Sequence, residues 1–320
     1  VKCVKLQRQA SKSQVDFVKH LKKVQQEHGF KIIYEVDDVV FREEIPDYNK
    51  FKFAFDTAEV RDNCIQIMDL ADEITVTCDF MRKLFQSKLT NKKITVIPNF
   101  VPNNWMGYLF NRGRVQQALE KHKKKPRILY TGSGAHYDVS NKNGGVDDMS
   151  AVNGVIRKTV NKYQWVFVGA FPPPLADLVK AGKIEFHAWK SLLDYPNFIA
   201  NLGAQLMVAP LTVNNFNNSK SDIKFIEACT LGIPCLCQDM HTYEGAPDDL
   251  KFKTPEEFEE KLDWIVNYKN RKRYFRNIGQ LRDIGAARTL ELNENVGAHM
   301  EALMTDYGSP KREYLKRWNP

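Results

Sequence analysis

The chain has 320 residues, 43% of them hydrophobic, with a formal charge of +8 and a pI near 9.0. That length holds two medium-sized globular domains at roughly 100 to 200 residues each, and no apolar run approaches the ~18 residues of a membrane span, which excludes an integral membrane helix. The six cysteines (Cys3, Cys64, Cys78, Cys229, Cys235, Cys237) lie mostly in apolar runs without C-x-x-C spacing, which argues against a zinc site or a disulfide framework and for a reducing, cytoplasmic compartment.

From the N-terminus, VKCVKLQRQ does not read as a signal peptide. VKCVKL is a candidate strand, followed by a helix over 13–28 and a strand KIIYEV at 31–36. A helix over 57–71, the strand EITVT at 73–77, a helix over 79–87 and the strand ITVIP at 94–98 follow. The stretch NFVPNNWMGYLFNRGRVQQALEKHKKKP then breaks the rhythm and marks a domain boundary. Beyond it the strands RILYTG (127–132), QWVFVGA (164–170), KIEFH (183–187), AQLMVAP (204–210) and PCLCQ (234–238) alternate with helices over 147–162, 191–202, 220–231 and 255–268. Strand-helix-strand alternation predicts an α/β chain of two halves, each with a mostly parallel sheet, facing each other across a cleft. The first half shows few strands, so a first strand and its glycine-rich turn are expected to be missing from it.

Ligands of doubly wound sheets bind at the carboxyl ends of strands, so residues just after strands are the candidates. In YEVDDVVF, Asp37 and Asp38 end a strand, where an acid could hold a metal, act as a base toward a hydroxyl, or cap the next segment. In the second half, Gly132, Ser133 and Gly134 follow a strand and lead into His136; such a turn lets backbone approach a phosphate or sugar, or is simply a turn. His136 joins Asp37 and Asp38 as a catalytic candidate. His187 and Trp189 follow another strand, where Trp189 could stack on a nucleobase or belong to the core.

The segment NNFNNSKSDIKFIEACTLGIPCLCQD (214–239) carries the most chemistry. As a helix over 220–231, it places Lys220, Lys224 and Glu227 within roughly 60° of one another. Asn217, Asn218, Ser219 and Ser221 precede or open that helix as N-caps do. Lysines beside a helix N-terminus cradle a diphosphate, and a carboxylate further in can accept from both hydroxyls of a ribose. The alternative is an amphipathic surface helix ending at Gly232-Ile233-Pro234.

Taken together, YEVDD (34–38), VIPNF (96–100), GSGAHYD (132–138), APLTVNNFNNSKSDIKFIEACTLGIPCL (209–236) and Tyr243 resemble the two-Rossmann (GT-B) nucleotide-sugar glycosyltransferases of the glycogen-synthase-like branch. The resemblance spans essentially the whole chain. It implies an N-terminal acceptor domain over 1–110, completed by a C-terminal helix at 300–320, a basic linker over 111–126 and a nucleotide-sugar domain over 127–299. It also implies that Glu227 binds the nucleotide ribose and that Asn218, Ser219, Lys220, Ser221 and Lys224 line the diphosphate. Many members carry a second glutamate eight positions earlier; Ser219 stands there, so the donor sugar and stereochemical class stay open. The FN-x-SKSDIK form (216–224), the basic charge and the compact length also resemble bacteriophage glycosyltransferases, some of which modify hydroxymethylcytosine in DNA.

The expected reaction is transfer from a UDP-sugar, without a metal, to a hydroxyl oriented by Asp37 or Asp38. Double-stranded DNA is the favoured acceptor, reached through basic surface such as Lys121 to Lys125, Arg271 to Arg273 and KREYLKRW. Trp105, Tyr108 and Phe110 could serve a flipped base or a sugar, or pack between the domains. A glycan or lipid-linked acceptor, a nucleotide-binding module without turnover and a nucleic-acid-binding protein are the alternatives. A dehydrogenase is disfavoured because no strand is followed by G-x-G-x-x-G.

Overall fold

The structure is a computed structural model and describes residues 2–7, 10–55, 57–91, 93–108, 111–138 and 146–289. The expected helix at 300–320 and Phe110 lie outside the described residues. Two compact units form: one from Val1–Arg42 and Ala54–Pro98, the other from Glu43–Phe53 and Asn99–Leu292.

The first unit runs β1 (Cys3–Gln7), α1 (Lys12–His28), β2 (Lys31–Glu35), α2 (Ala58–Leu70), β3 (Glu73–Val76), α3 (Asp79–Lys88) and β4 (Ile94–Val96). Its four strands are parallel, in the order β1-β2-β3-β4. VKCVKL is thus a strand, paired with β2 from Cys3 opposite Lys31. Local sequence sets the helix ends: Ser11 and Gln14 form a reciprocal capping box at the start of α1, and Gly29, at φ 62°, supplies the left-handed residue that stops it. β3 is buried throughout, and its Glu73 is tolerated there because it pairs with Lys31 and accepts from Thr95.

The second unit contains α4 (Arg112–Lys121), β5 (Arg127–Gly132), α5 (Ser150–Thr159), β6 (Gln164–Gly169), α6 (Ala176–Lys180), β7 (Glu185–His187) and α7 (Tyr195–Asn201). It continues with β8 (Leu206–Ala209), α8 (Asn215–Asn218), α9 (Ile223–Leu231), β9 (Cys235–Gln238), β10 (Lys251–Phe252), α10 (Pro255–Val266) and α11 (Arg271–Ala287). Its parallel sheet has the order β10-β9-β8-β5-β6-β7. Numbered within the sheet, this is the doubly wound order 3-2-1-4-5-6, whose direction of winding reverses between β5 and β8. A crevice at the carboxyl ends of those two strands is where this topology takes ligands.

Three differences from the sequence reading have simple causes. The stretch read as a basic linker contains α4, capped by Asn111 and held to the core by Val115 and Leu119, one helical turn apart. α11 was not expected because its charged composition hid a short apolar face; its Ile278 and Leu281 are fully buried. The helix placed at 220–231 starts three residues later. Asn215–Asn218 form one short turn of helix, and α9 starts at Ile223, so Lys220 and Ser221 occupy the turn between them.

Candidate functional site

The site is built on the two strands that flank the reversal. Gly132, the last residue of β5, has no room for a side chain: a Cβ there would lie 2.5 Å from the Tyr130 hydroxyl. Ser133 then caps a single 3-10 turn, Gly134–His136, by accepting from the Ala135 amide at 3.2 Å. The turn brings His136 back over the sheet end. Its Nδ1 lies 2.7 Å from Asp148 Oδ2 and its Nε2 3.4 Å from Lys224 Nζ.

Asp148 ties the loops after β5 and β8 together. Its Oδ1 accepts from the Thr212 backbone amide at 2.9 Å, from Asn217 Nδ2 at 2.6 Å and from the Tyr48 hydroxyl at 2.6 Å. Asn217, completely buried, also donates to the Thr212 carbonyl at 2.8 Å. Burial alone would raise the Asp148 carboxyl, but hydrogen bonds from His136 and Tyr48, with the charges nearby, outweigh it and hold the group below the usual carboxylate range. The sequence reading passed over this aspartate. Its signal, the acidic pair in VDDMS just before α5, reads as an ordinary helix cap.

α9 is a core helix rather than the amphipathic surface helix considered above. Phe225, Ile226 and every residue from Ala228 to Leu231 are buried, leaving Lys224 and Glu227 as its half-buried charges, one turn apart. Charged groups are rarely retained at such positions without a partner or a task. Lys224 Nζ sits 5.3 Å over the Tyr130 ring. Burial, then the neighbouring Lys220, lower its pKa to about 8. Burial raises Glu227 to about 7, opposed by Lys224 and by Tyr195, whose hydroxyl is 3.4 Å from Oε2. Burial and then Lys224 push His136 down to about 3, so its imidazole is neutral at physiological pH. Neighbouring cationic and neutral groups around a glycine turn can accept an anion, and a carboxyl poised near neutrality can accept hydroxyl protons.

The solved structures with this architecture are informative at this point. HepE of Anabaena in complex with UDP superposes with a TM-score of 0.59 over 90% of this chain and 77% of that one, at 11% identity. WaaG, a glycosyltransferase involved in lipopolysaccharide biosynthesis, gives 0.56 over 91% and 82%, at 13% identity. A UDP-forming trehalose-phosphate synthase from Burkholderia xenovorans gives 0.55 over 96% and 74%, at 11% identity. The chain has the GT-B glycosyltransferase fold. No protein-family model and no curated protein matches the sequence.

Within the second unit of this GT-B fold, Gly132, Ser133, Gly134 and His136 lie at the carboxyl end of β5, and Lys224 and Glu227 lie along the first half of α9. Lys220 stands in the preceding turn, its ammonium 4.7 Å from the Phe216 ring centre and close enough to Lys224 and His136 to shift both. That turn is clamped. Ser221 Oγ accepts from Asn99 at 2.8 Å, and Asp222 receives a two-pronged bond from Arg288 at 2.8 and 2.9 Å. The free helix N-terminus expected near 217–221 therefore falls at Asp222, whose side chain does not cap α9.

Other predicted residues have different surroundings. Ser219 is 1% exposed and its hydroxyl donates to the Asn215 carbonyl, while Asn218 Oδ1 accepts from the His241 amide at 3.3 Å. His187 is the last residue of β7, not a residue beyond it, and is held by Glu185 at 2.7 Å and edge-on to Phe198. Trp189 is not core: it is 56% exposed, and its ring lies so close to Gly169 that a Cβ there would be 2.7 Å from it. Gly169, at φ 97°, also packs on the Gly132 carbonyl, which places the indole beside the sheet end. Trp105 packs inside the second unit, 4% exposed and edge-on to Tyr195. Asp37 and Asp38 follow β2 in the first unit, Asp37 exposed and Asp38 half-buried. Among the described residues, no group of three or more His, Cys, Asp or Glu could hold a metal, and no helix is long and apolar enough to cross a membrane.

Proposed function

We propose that the protein transfers a sugar from a UDP-sugar to a hydroxyl acceptor. The observation that carries this reading is the pair Lys224 and Glu227 on an otherwise buried helix, beside the glycine turn that ends β5. In this reading Lys224 and Lys220 neutralise the diphosphate as it becomes the leaving group, an electrostatic role that needs positive groups fixed before reaction. Glu227 accepts from the ribose hydroxyls, and Trp189 offers its exposed face to the uracil. The structural relatives support the donor class, since HepE was captured with UDP, with UDP and glucose, and with UDP-glucose.

For the acceptor we propose 5-hydroxymethylcytosine in duplex DNA, supported by the +8 charge and by the resemblance carried by FN-x-SKSDIK. The modified base must leave the stack to react, a cost of a few kcal/mol. Asp37 and Asp38 are assigned to the acceptor because they follow a parallel strand of the first unit.

The test is nucleoside mass spectrometry on duplex DNA with and without 5-hydroxymethylcytosine, after incubation with a panel of UDP-sugars. A pentose or hexose mass on the hydroxymethylated base alone is the expected result, with Lys224→Met lowering UDP affinity by roughly 10- to 100-fold, the range for hydrogen bonds to charged groups. UDP binding without modified DNA moves the acceptor to a glycan or lipid. Absence of UDP binding overturns the reading.

A further inference from the structure

We propose that Asp148 is a positioning residue for donor binding: it fixes the proton of His136 on Nδ1, so that the bare Nε2 holds the Lys224 ammonium at the glycine turn. The inference rests on the reading of Lys224 as a diphosphate ligand and adds a relay that the reading does not require.

Asp148 is 2% exposed, and its Oδ1 already takes three donors, from Thr212, Asn217 and Tyr48. The Thr212 donor is backbone and cannot be reversed. Asn217 Nδ2 reaches the Asp148 carboxylate at 2.6 Å and the Thr212 carbonyl at 2.8 Å, which uses both amide hydrogens and fixes its orientation as well. Only Oδ2 remains for His136, at 2.7 Å, and an ionised carboxylate can only accept. His136 Nδ1 must therefore carry the proton. A neutral imidazole with its proton there has a lone pair on Nε2, and that atom faces Lys224 Nζ at 3.4 Å.

The surroundings keep this state in place. Lys224 is faced by Lys220 from the preceding turn, by His136 and Asp148 from the loops, by Glu227 on its own helix and by Cys235 on β9. Protonating His136 would set a second cation against Lys224 in a buried place, so burial and Lys224 together disfavour it. A histidine here thus serves as a neutral acceptor that holds Lys224 and not as the catalytic group expected from its position after β5.

Asp148→Asn tests this sharply. Because three donors occupy the Oδ1 side, the new amide NH2 must take the Oδ2 position and donate to His136 Nδ1. The imidazole then moves its proton to Nε2, where it points at the Lys224 ammonium. The wild-type protein is expected to give the 15N signature of an Nδ1-protonated His136 in its imidazole NMR spectrum, assigned by its loss in His136→Gln. Asp148→Asn is expected to give the Nε2-protonated signature and to weaken UDP binding at least tenfold by calorimetry. In a Lys224→Met background the same substitution should leave the UDP Kd unchanged within twofold, because the group it acts through is gone.

A purely structural Asp148 would weaken binding equally in both backgrounds, and that result overturns the proposal. So does an Nε2-protonated His136 in the wild-type protein, a measurement that needs no variant of Asp148. If the wild-type protein fails to bind UDP at all, the donor reading falls, while the NMR result still decides the tautomer.

Discussion

The carboxyl ends of the two sheets differ in what surrounds them. In the second unit the strand order reverses between β5 and β8, and the loops there converge on Asp148, His136 and Lys224 through bonds of 2.6 to 3.4 Å. In the first unit the strands follow one another in sequence order, and Asp37 and Asp38 leave β2 with one carboxylate exposed and the other half-buried. A reversal sends two neighbouring connections to opposite faces of the sheet and leaves a crevice between them. The groups at its base are packed by the loops and the helix that carry them, and burial is the main cause that shifts them: Glu227 to about 7, Lys224 to about 8 and His136 to about 3. In the proposed function, the sheet end of the second unit holds the charged donor and that of the first unit carries the acids assigned to the acceptor.

The largest expected effect separates these two tasks. Asp38→Asn should lower transfer by ~10²- to 10⁴-fold, the usual worth of a general base, while the UDP Kd stays within twofold of wild type. A joint loss of UDP affinity would break the contrast, since it would make the first unit part of donor binding. Steady-state transfer rates and calorimetry on the same preparation decide it.

Glu227→Gln comes next, with an expected loss of roughly tenfold in UDP affinity. Its pH dependence sharpens the comparison. The folded-state pKa of Glu227 lies above its unfolded value, so between about 4.5 and 7 the folded protein holds a proton that the unfolded chain has released. Stability from this group is complete below about 4.5 and is lost as pH rises through about 7, by no more than about 3 kcal/mol. Glu227→Gln should therefore melt above wild type by a margin that grows between pH 4.5 and 7. UDP, by favouring the carboxylate, should release protons on binding near pH 6.5, visible as a buffer-dependent binding enthalpy. Equal melting differences at all pH values would sink the assignment of a raised Glu227.

Trp189→Ala should have the smallest effect, about fivefold on UDP affinity. Stacking contributes roughly 1 to 3 kcal/mol per base, and a ring 56% exposed and already resting on Gly169 belongs at the low end. Uridine and UDP should lose affinity equally if the indole meets the base.

Much of this arrangement is legible before folding. Short apolar runs place β5, β6, β8 and β9 to within two residues, because a strand buried on both faces is written locally as a continuous apolar run. The same local logic brings out Gly132 to Gly134 and the spacing of Lys224 and Glu227. It fails at Lys220, where helical periodicity runs on through a turn that Asn99 and Arg288 clamp from elsewhere in the chain. It fails also at Trp105, whose burial beside Tyr195 depends on a packing partner 90 positions away.

By itself, then, the sequence determined the element alternation, the glycine turn and the charged pair on α9, all features set within one or two turns of chain. Tertiary structure decided the rest: the reversal between β5 and β8, the Tyr48 hydroxyl reaching Asp148 across 100 positions, and the Arg288 guanidinium closing on Asp222 across 66. The physical reason is that backbone propensity and side-chain period act between near neighbours. The proton on His136 and the charge on Lys224 depend on which distant donors the topology crowds around one carboxylate.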